Sequence, residues 1–198
     1  MKKTLQTFKS ALTSIYPELE ENEWKYLSEN ISIVALPSKS ILIEENKVQQ
    51  HLLFMTSGLV RGFYVDDQGE EITIRFIHHT GWITHYSALI SKRPSTYIFQ
   101  TLEPSECLAL PFVVVEEGYK KFKGLEKFGR LIAENVLQLQ QKRIEQFQFL
   151  SAEERYLAFI EDYPELFHRV SISHLCTYLG IKRQSLTRIR KKLASRQL

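Results

Sequence analysis

The chain has 198 residues, 43% of them hydrophobic and 25% charged, a composition typical of one or two folded domains rather than of a disordered or fibrous protein. No apolar run approaches the roughly 20 residues that a membrane-spanning helix needs, and the charged N-terminus lacks the apolar block of a signal peptide. Only two cysteines are present, Cys107 and Cys176, without a CxxC pair. This argues against disulfides, structural zinc or a cysteine-ligated iron–sulfur cluster, and it favours a cytoplasmic protein.

The N-terminal 30 residues are predicted to form two helices. Leu5, Phe8, Leu12 and Ile15 recur at steps of three or four. This spacing gives a helix one apolar face, and Pro17 is expected to end it. A second helix is expected over residues 18–30.

From Ile31 to about Val115 the pattern changes to short β-rich runs separated by turn signals. The clearest strands are residues 41–43, 52–55, 59–65, 72–77 and 97–102. Asp66-Asp67-Gln68-Gly69 predicts a tight turn between two of them. Regular short strands of this kind predict an antiparallel β-roll, or jelly roll, so residues 1–117 are expected to form the first domain.

Residues 118–150 are predicted to form a long helix, because strand character disappears there. An apolar stripe runs along it at steps of three and four or their multiples: Leu125, Ile132, Val136, Leu139 and Leu150. We expect this stripe to pair with a second copy of the chain as a coiled coil. The alternative is a helix buried on both sides within one chain. Arg143 and Gln146 interrupt the stripe and would weaken the pairing or fix its register.

Residues 151–198 are expected to form the third domain, and residues 173–190 have the pattern of a helix, a glycine turn and a second helix. Apolar residues fall at spacings that bury one face of both helices: Leu175, Leu179, Ile181, Leu186, Ile189 and Leu193. Gly180 lies at the corner, where glycine adopts a left-handed conformation at low cost. Cys176 supplies the small side chain needed where the helices approach.

Charge is distributed unevenly along the chain. Residues 166–198 contain eight Lys or Arg and no Asp or Glu, whereas the first 165 residues contain 18 basic and 23 acidic residues. The tail, residues 166–198, therefore has a formal charge of +8, and residues 1–165 have a formal charge of −5. The overall charge of +3 hides this difference. A one-sided basic region is typical of polyanion binding, although a solvated tail has the same charge. Because the tail is patterned as two helices, it favours DNA recognition over an exposed structural hairpin.

The chain resembles the cAMP receptor protein/FNR family of bacterial transcription regulators in three stretches, residues 53–61, 80–83 and above all 179–191. The order of its three parts resembles that family as well. The resemblance implies an α+β fold: an N-terminal antiparallel β-roll sensor domain, a long dimerisation helix and a C-terminal helix-turn-helix. It also implies a homodimer that binds a two-fold symmetric operator in double-stranded DNA, with RNA polymerase as a partner. A wing is expected only around residues 167–171 and in reduced form, since few residues follow the second helix.

Geometry and the resemblance together assign roles on the second helix. Arg183, Gln184 and Arg188 are expected to read base edges, since Arg pairs with guanine and Gln with adenine in the major groove. Five further residues are expected to contact phosphate: Ser185, Thr187, Arg190, Lys191 and Lys192. Lys182 stands where a capping Ser or Thr would fit better, so the helix start is expected to be loose. For each residue the alternative is a solvated surface side chain.

The sequence departs from the family in the effector pocket. Cyclic-nucleotide binders of the family carry Gly-Glu and, further on, an Arg followed by Ser or Thr. The corresponding degenerate pocket here is expected to comprise Gly81, Trp82, Thr84, Arg93, Ser95 and Thr96. Trp82 replaces the acidic residue and Pro94 takes the place of the arginine, unless Arg93 replaces it by a shift of one position. We therefore expect either an effector other than cAMP or no effector. Aromatic residues lining the roll are compatible with an apolar or an anionic ligand.

Other function classes have less support. No phosphate-binding glycine loop, nucleophile elbow, HExxH or Cys–His constellation is present, so an enzyme is not expected, and neither a metal nor another cofactor is expected. His78 and His79 are adjacent and would face opposite sides of a strand, which prevents joint chelation. The main alternative function is a ligand-sensing or protein-interaction β-roll whose basic tail does not read DNA sequence.

Overall fold

The computed structural model describes residues 2–195. Met1 and residues 196–198, which the predicted first and last domains include, lie outside the described residues, and with them Arg196 of the basic tail. The chain divides into two compact units. One consists of residues up to Gly62 together with Phe76–Leu137, and the other of Phe63–Arg75 together with residues from Gln138 onward.

Most helices lie toward the two ends of the chain, and the strands lie between them. The helices are α1 (Lys2–Ile15), α2 (Glu21–Glu29), α3 (Tyr86–Ser91), α4 (Phe112–Lys121), α5 (Lys123–Phe149), α6 (Ala152–Asp162), α7 (Ile172–Leu179) and α8 (Arg183–Ala194), with a 3-10 helix at Pro164–His168. The strands are β1 (Ser32–Leu36), β2 (Ile41–Ile43), β3 (His51–Ser57), β4 (Leu59–Val65), β5 (Glu71–His78), β6 (Gly81–Ile83), β7 (Ile98–Thr101) and β8 (Ser105–Pro111). Within residues 2–195, no helix has the length and apolarity needed to cross a membrane.

Two four-stranded sheets confirm the predicted β-roll. Their strand orders are β1-β8-β3-β6 and β2-β7-β4-β5, and strand β8 pairs antiparallel with both β1 and β3. The interior between the sheets is apolar, with Met55, Val60, Ile83, Phe99 and Cys107 fully or almost fully buried. Burial of these side chains is the main contribution to the stability of the roll.

The predicted turn between β4 and β5 is confirmed in detail. Gly69 has φ 80°, and its N–H donates to the carbonyl of Asp66 at 2.9 Å. The Asp66 side chain accepts from the N–H groups of Gln68 and Glu70, both at 2.9 Å. Asp at the first position and Gly at the left-handed position are the residues that this turn requires.

A second core lies outside the roll. Phe8 and Leu12 of α1 pack with Phe54 of β3 and with Leu125 and Ile132 of α5. The N-terminal part of α5 is therefore buried within its own chain, which is the arrangement that the apolar stripe left open as the alternative to pairing.

Some elements differ from the sequence-based expectations. Strands β1, β6 and β8 and helix α3 are not among the elements that the sequence predicts, and the helix expected from residue 118 is split at Phe122 into α4 and α5. His79 has φ 56° and follows the end of β5, so the strand alternation expected for the histidine pair does not apply. A left-handed residue at this point ends the strand.

Candidate nucleic-acid interface

Helices α7 and α8 meet at a glycine corner. Gly180 has φ 64° and ψ 41°, a left-handed conformation that is strained for residues with a Cβ. Its N–H donates to the carbonyl of Thr177 at 3.3 Å, and the N–H of Ile181 donates to the carbonyl of Cys176 at 3.0 Å. These bonds form the Schellman motif, which satisfies carbonyls at the end of a helix. The predicted glycine turn is confirmed.

Two arginines hold the C-terminal end of α7. Arg143 donates to the carbonyl of Tyr178, and its guanidinium lies 3.9 Å from the Tyr178 ring centroid and 4.4 Å from that of Phe147. Arg155 Nε donates to the carbonyl of Leu179 at 3.0 Å. Cations are favourable here because the last carbonyls of a helix lack intrahelical partners. Arg143, expected to interrupt a dimer stripe, thus supports the helix-turn-helix of its own chain.

Helix α8 has one buried and one exposed face. Leu186 and Ile189 are buried, and Leu193 is partly buried. At 100° per residue, one continuous surface on the other side comprises five exposed residues, the α8 cationic face: Arg183, Gln184, Thr187, Arg188 and Lys191. The structure thus brings the three residues predicted to read bases onto one exposed face, together with two of those predicted to contact phosphate.

Most side chains of the α8 cationic face are available to a ligand. Within residues 2–195, Arg183, Gln184 and Lys191 make no side-chain hydrogen bond or ion pair. Arg188 makes only a long bond of 3.4 Å to Ser185 Oγ, and Thr187 Oγ1 donates to the carbonyl of Arg183 at 3.1 Å. These contacts leave the two guanidinium groups free to form paired hydrogen bonds.

Two residues predicted to contact phosphate have partners inside the C-terminal unit. Arg190 Nε donates to the hydroxyl of Tyr156 at 3.0 Å, and its guanidinium lies 4.9 Å from the Phe167 ring centroid. Lys192 Nζ lies 2.5 Å from a carboxylate oxygen of Glu153. These partners compete with phosphate, so both residues are weaker candidates than Lys191. Their partners lie more than 20 residues earlier in the chain, and no signal in the sequence marked them.

The start of α8 is uncapped, as expected. Lys182 occupies the N-cap position and makes no side-chain bond to the first turn, whereas Ser171 at the start of α7 accepts from the N–H of His174 at 3.1 Å. The first N–H groups of α8 are therefore not satisfied by a capping side chain, and they add positive potential beside Arg183.

The segment expected to supply a reduced wing contains no strand. Residues 164–168 form a 3-10 helix, and residues 169–171 lead into α7. Across residues 151–195 the described structure is helical apart from turns and connections. In this range the helix-turn-helix therefore lacks a β-wing, and the expectation of one at residues 167–171 is wrong.

The tip of the β4–β5 hairpin belongs to the same compact unit as the helix-turn-helix. The hydroxyl oxygens of Thr73 and Thr177 are 2.9 Å apart, and the N–H of Thr73 donates to Thr177 Oγ1 at 3.2 Å. Arg75 is partly buried in this unit, and its partial burial lowers the pKa of its guanidinium, an effect that Tyr163 and Tyr178 oppose. Sequence reasoning missed this contact because 104 residues separate the two threonines.

The residues predicted for the dimer helix differ in exposure. Leu125 and Ile132 are buried in their own chain, Val136 is partly buried, and Leu150 lies just beyond the end of α5. Leu139 is 48% exposed. Four other apolar residues of α5 are also exposed: Leu137, Ile144, Phe147 and Phe149. The apolar surface available to a second copy is therefore in the C-terminal half of α5, and Leu125 and Ile132 do not belong to it.

The predicted effector pocket does not form around Gly81 and Trp82. Trp82 packs outside the roll, with ring centroids 4.9 Å from Phe54 and 5.8 Å from Phe8. The next residue, Ile83, is the one that faces the interior, because successive strand residues point to opposite sides. Gly81 pairs with Met55 at the edge of the sheet. Trp82 therefore does not line the interior of the roll.

The other four predicted pocket residues also separate. Arg93 and Thr96 are exposed, while Thr84 and Ser95 are buried. Thr84 Oγ1 donates to the side-chain oxygen of Gln49 at 3.2 Å. Arg93 does not replace the missing pocket arginine, because its side chain is at the surface.

Hydrogen bonds of His85 connect the segment around Thr84 to the segment around Ser95. His85 Nδ1 lies 3.0 Å from Ser95 Oγ, which itself donates to the carbonyl of Tyr97 at 2.8 Å. Since the hydroxyl has one proton, Nδ1 must donate, and Nε2 accepts from Ser87 Oγ at 3.1 Å. Burial lowers the pKa of His85, which favours this neutral form. The cluster therefore offers no cation to a phosphate group.

A cavity of about 460 Å³ adjoins this cluster at Gln49. Its described lining includes His51 and one lysine, Lys47, whose Nζ lies 2.5 Å from a carboxylate oxygen of Glu44. An anionic ligand would have to compete with Glu44 for this lysine. Electrostatics in this region thus do not favour a cyclic nucleotide.

The architecture consists of a β-roll, a long helix and a C-terminal helix-turn-helix. Residues 33–121 match the family model of the cyclic nucleotide-binding domain. The chain as a whole has the fold of the cAMP receptor protein/FNR regulators, and the resemblance seen in the sequence is confirmed.

Three solved structures illustrate this similarity. FixK2 from Bradyrhizobium japonicum is 12% identical, with 84% of this chain and 86% of that chain covered and a TM-score of 0.71. A protein from Eubacterium rectale assigned to the crp/fnr family of transcriptional regulators is 16% identical, with coverage of 94% and 88% and a TM-score of 0.70. The global regulator CLP from Xanthomonas campestris is 15% identical, with coverage of 90% and 94% and a TM-score of 0.67. No curated protein sequence matches the chain at a significant level.

Proposed function

We propose that the chain is a transcription regulator of the cAMP receptor protein/FNR type, which binds a two-fold symmetric DNA operator as a homodimer and does not require cAMP. The α8 cationic face carries this proposal. Its two arginines and one glutamine are exposed and form no strong internal contacts, while the opposite face of the helix is buried. An α-helix with such a face fits the major groove, where these side chains distinguish base pairs.

Dimerisation is supported by the apolar surface in the C-terminal half of α5. Leu137 is 69% exposed and Ile144 is 50% exposed, and they stand seven residues apart, the repeat of a coiled coil. Phe147, three residues after Ile144, widens this surface, whereas Leu139 is exposed on the opposite side of the helix. Clustered exposed apolar side chains of this kind are typical of protein–protein contacts. Two-fold symmetry in the protein would require two-fold symmetry in the operator.

Independence from cAMP is supported by the chemistry of the roll. The described residues around His85 offer a neutral imidazole and hydroxyl groups, and Lys47 is paired with Glu44. A cyclic phosphate buried there would lose its hydration without gaining a free cation. Whether the protein activates or represses depends on where the operator lies relative to the polymerase.

Selection from a random duplex library at fixed salt, with and without cAMP, tests the proposal. We expect the same inverted repeat under both conditions. Arg188→Ala should lose preference at one base pair of each half-site, whereas Arg93→Ala, which removes an exposed arginine from the other unit, should recover the unchanged repeat.

Two results would contradict parts of the proposal. If no sequence is enriched under either condition, the basic tail does not read DNA sequence, and a ligand-sensing or protein-interaction role becomes the better account. If the repeat is recovered only with cAMP, the chain has a nucleotide site that the His85 cluster does not explain, and the claim of independence from cAMP is wrong.

A further inference from the structure

Outside the roll, the N-terminal unit contains an apolar cavity of about 420 Å³. Side chains of eight elements surround it: α1, α2, β3, β6, β8 and α4, with α3 and the first turns of α5 completing the wall. Ligand pockets for small organic molecules have volumes of roughly 300–1,000 Å³. We propose that this cavity is a binding site for a neutral, largely apolar small molecule that carries a hydrogen-bond acceptor.

The lining favours an apolar ligand. Leu52, Trp82, Leu89 and Val115 line the cavity, and they are joined by further aliphatic and aromatic side chains. Binding a ligand there would remove apolar surface of both partners from water. Enclosure by many elements of one chain distinguishes the cavity from the exposed surface of α5, which is open to a second copy.

Two phenol groups supply a polar anchor. Tyr86 and Tyr119 both line the cavity, and within residues 2–195 neither hydroxyl has a hydrogen-bond partner. Gly129 makes room for one of them, because a Cβ at that position would lie 2.5 Å from Tyr119 Oη. A carbonyl or ether oxygen of a ligand would accept from them.

The charges at the rim disfavour an anion. Arg130 is the basic residue in the described lining, and it is paired with Glu134 on the next turn of α5. Glu116 of the lining is paired with Lys92, whose Nζ lies 2.9 Å from the carboxylate, while Glu126 adds a further negative charge. An anionic ligand such as a cyclic nucleotide would meet no free cation here, so the ligand class is neutral.

Titration of the full-length chain with prodan, a neutral naphthyl ketone dye, tests the site. We expect saturable binding with one dye per chain and a blue-shifted emission. Leu52→Trp should abolish binding by filling the cavity. Leu42→Trp is the matched control, because Leu42 is also a half-buried strand leucine but lines the other cavity, beside Gln49. Excess cAMP should not displace the dye.

A milder variant keeps the test valid if Leu52→Trp does not fold. Tyr86→Phe combined with Tyr119→Phe preserves both rings and should weaken dye binding roughly threefold to tenfold, the effect of losing about one hydrogen bond. Tyr97→Phe, which alters a phenol outside the cavity lining, should leave binding unchanged.

Three results would overturn the proposal. They are the absence of saturable binding, equal losses in Leu52→Trp and Leu42→Trp, and displacement of the dye by cAMP. A dye that binds only where two chains meet would show one site per dimer and would also contradict it. The experiment uses no DNA, so its outcome is independent of whether the chain reads an operator.

Discussion

Replacing Gly180 by alanine tests the corner of the helix-turn-helix. The alanine would have to adopt φ 64°, a left-handed conformation that costs a residue with a Cβ about 1–3 kcal/mol. Its Cβ would also lie 2.8 Å from Cε1 of Phe147, so that ring must move. Phe147 is 44% exposed and can shift outward, but the shift would weaken its contact with Arg143.

Gly69→Ala separates these two effects. Gly69 also has a positive φ, 80°, and belongs to the same compact unit, but a Cβ there would meet nothing within 4 Å. We expect Gly69→Ala to show backbone strain alone. Gly180→Ala should lose about 1 kcal/mol more, the approximate value of an exposed cation–π contact between Arg143 and Phe147.

Hydrogen exchange followed by mass spectrometry provides the assay. The two effects together amount to about 2–4 kcal/mol, so peptides that cover α7 and α8 should exchange about 30- to 700-fold faster in Gly180→Ala, since 1.4 kcal/mol corresponds to a factor of ten. In Gly69→Ala these peptides should change less than the peptides of the β4–β5 hairpin. Unchanged protection of α7 and α8 in Gly180→Ala, or equal changes in the two variants, would show that the Gly180 corner is not strained in the way described.

Three further predictions concern DNA contacts and buried groups. Arg188→Ala should weaken binding to the selected operator by about 1–3 kcal/mol and relax the preference at one base pair. Fluorescence anisotropy of labelled duplexes measures both effects. An equal loss of affinity on all sequences would make Arg188 a phosphate contact. Lys191→Ala should reduce the slope of log affinity against log salt concentration by about one unit. Lys192→Ala should reduce this slope less, because Glu153 already pairs with Lys192. Equal slopes for the two variants would contradict this distinction. Cys107 is 1% exposed, and burial raises the pKa of its thiol from 9.0 to about 11. In the native protein it should therefore not react with a thiol-specific disulfide reagent at pH 8, whereas in urea it should react. Rapid reaction of both cysteines in the native state would contradict the burial.

Local patterns in the sequence predicted the elements best. The spacing of Phe8 and Leu12 fixed the buried face of α1, the Asp66–Gly69 turn marked the hairpin, and Gly180 marked the corner of the helix-turn-helix. Each of these depends on residues within a few positions of one another, so periodicity and turn chemistry suffice to identify them.

Long-range partners could not be predicted in the same way. The apolar stripe of α5 does not show which residues face the chain's own core, and only the packing of Leu125 and Ile132 on α1 and β3 decides it. Arg190 has the sequence context of a phosphate contact, but Tyr156 and Phe167 occupy its side chain. His85 and Ser95 were not recognised as a pair, because their bond depends on how the segment around α3 folds back.

The central claim is that two copies of the chain read one symmetric operator through α8. Analytical ultracentrifugation of the full-length chain with a duplex carrying the selected inverted repeat tests it most directly, with a single half-site and a scrambled duplex as controls. We predict two chains on the inverted repeat, much weaker binding to the single half-site and weak, strongly salt-dependent binding to the scrambled duplex. Equal affinity for all three duplexes, or one chain on the inverted repeat, would contradict the account.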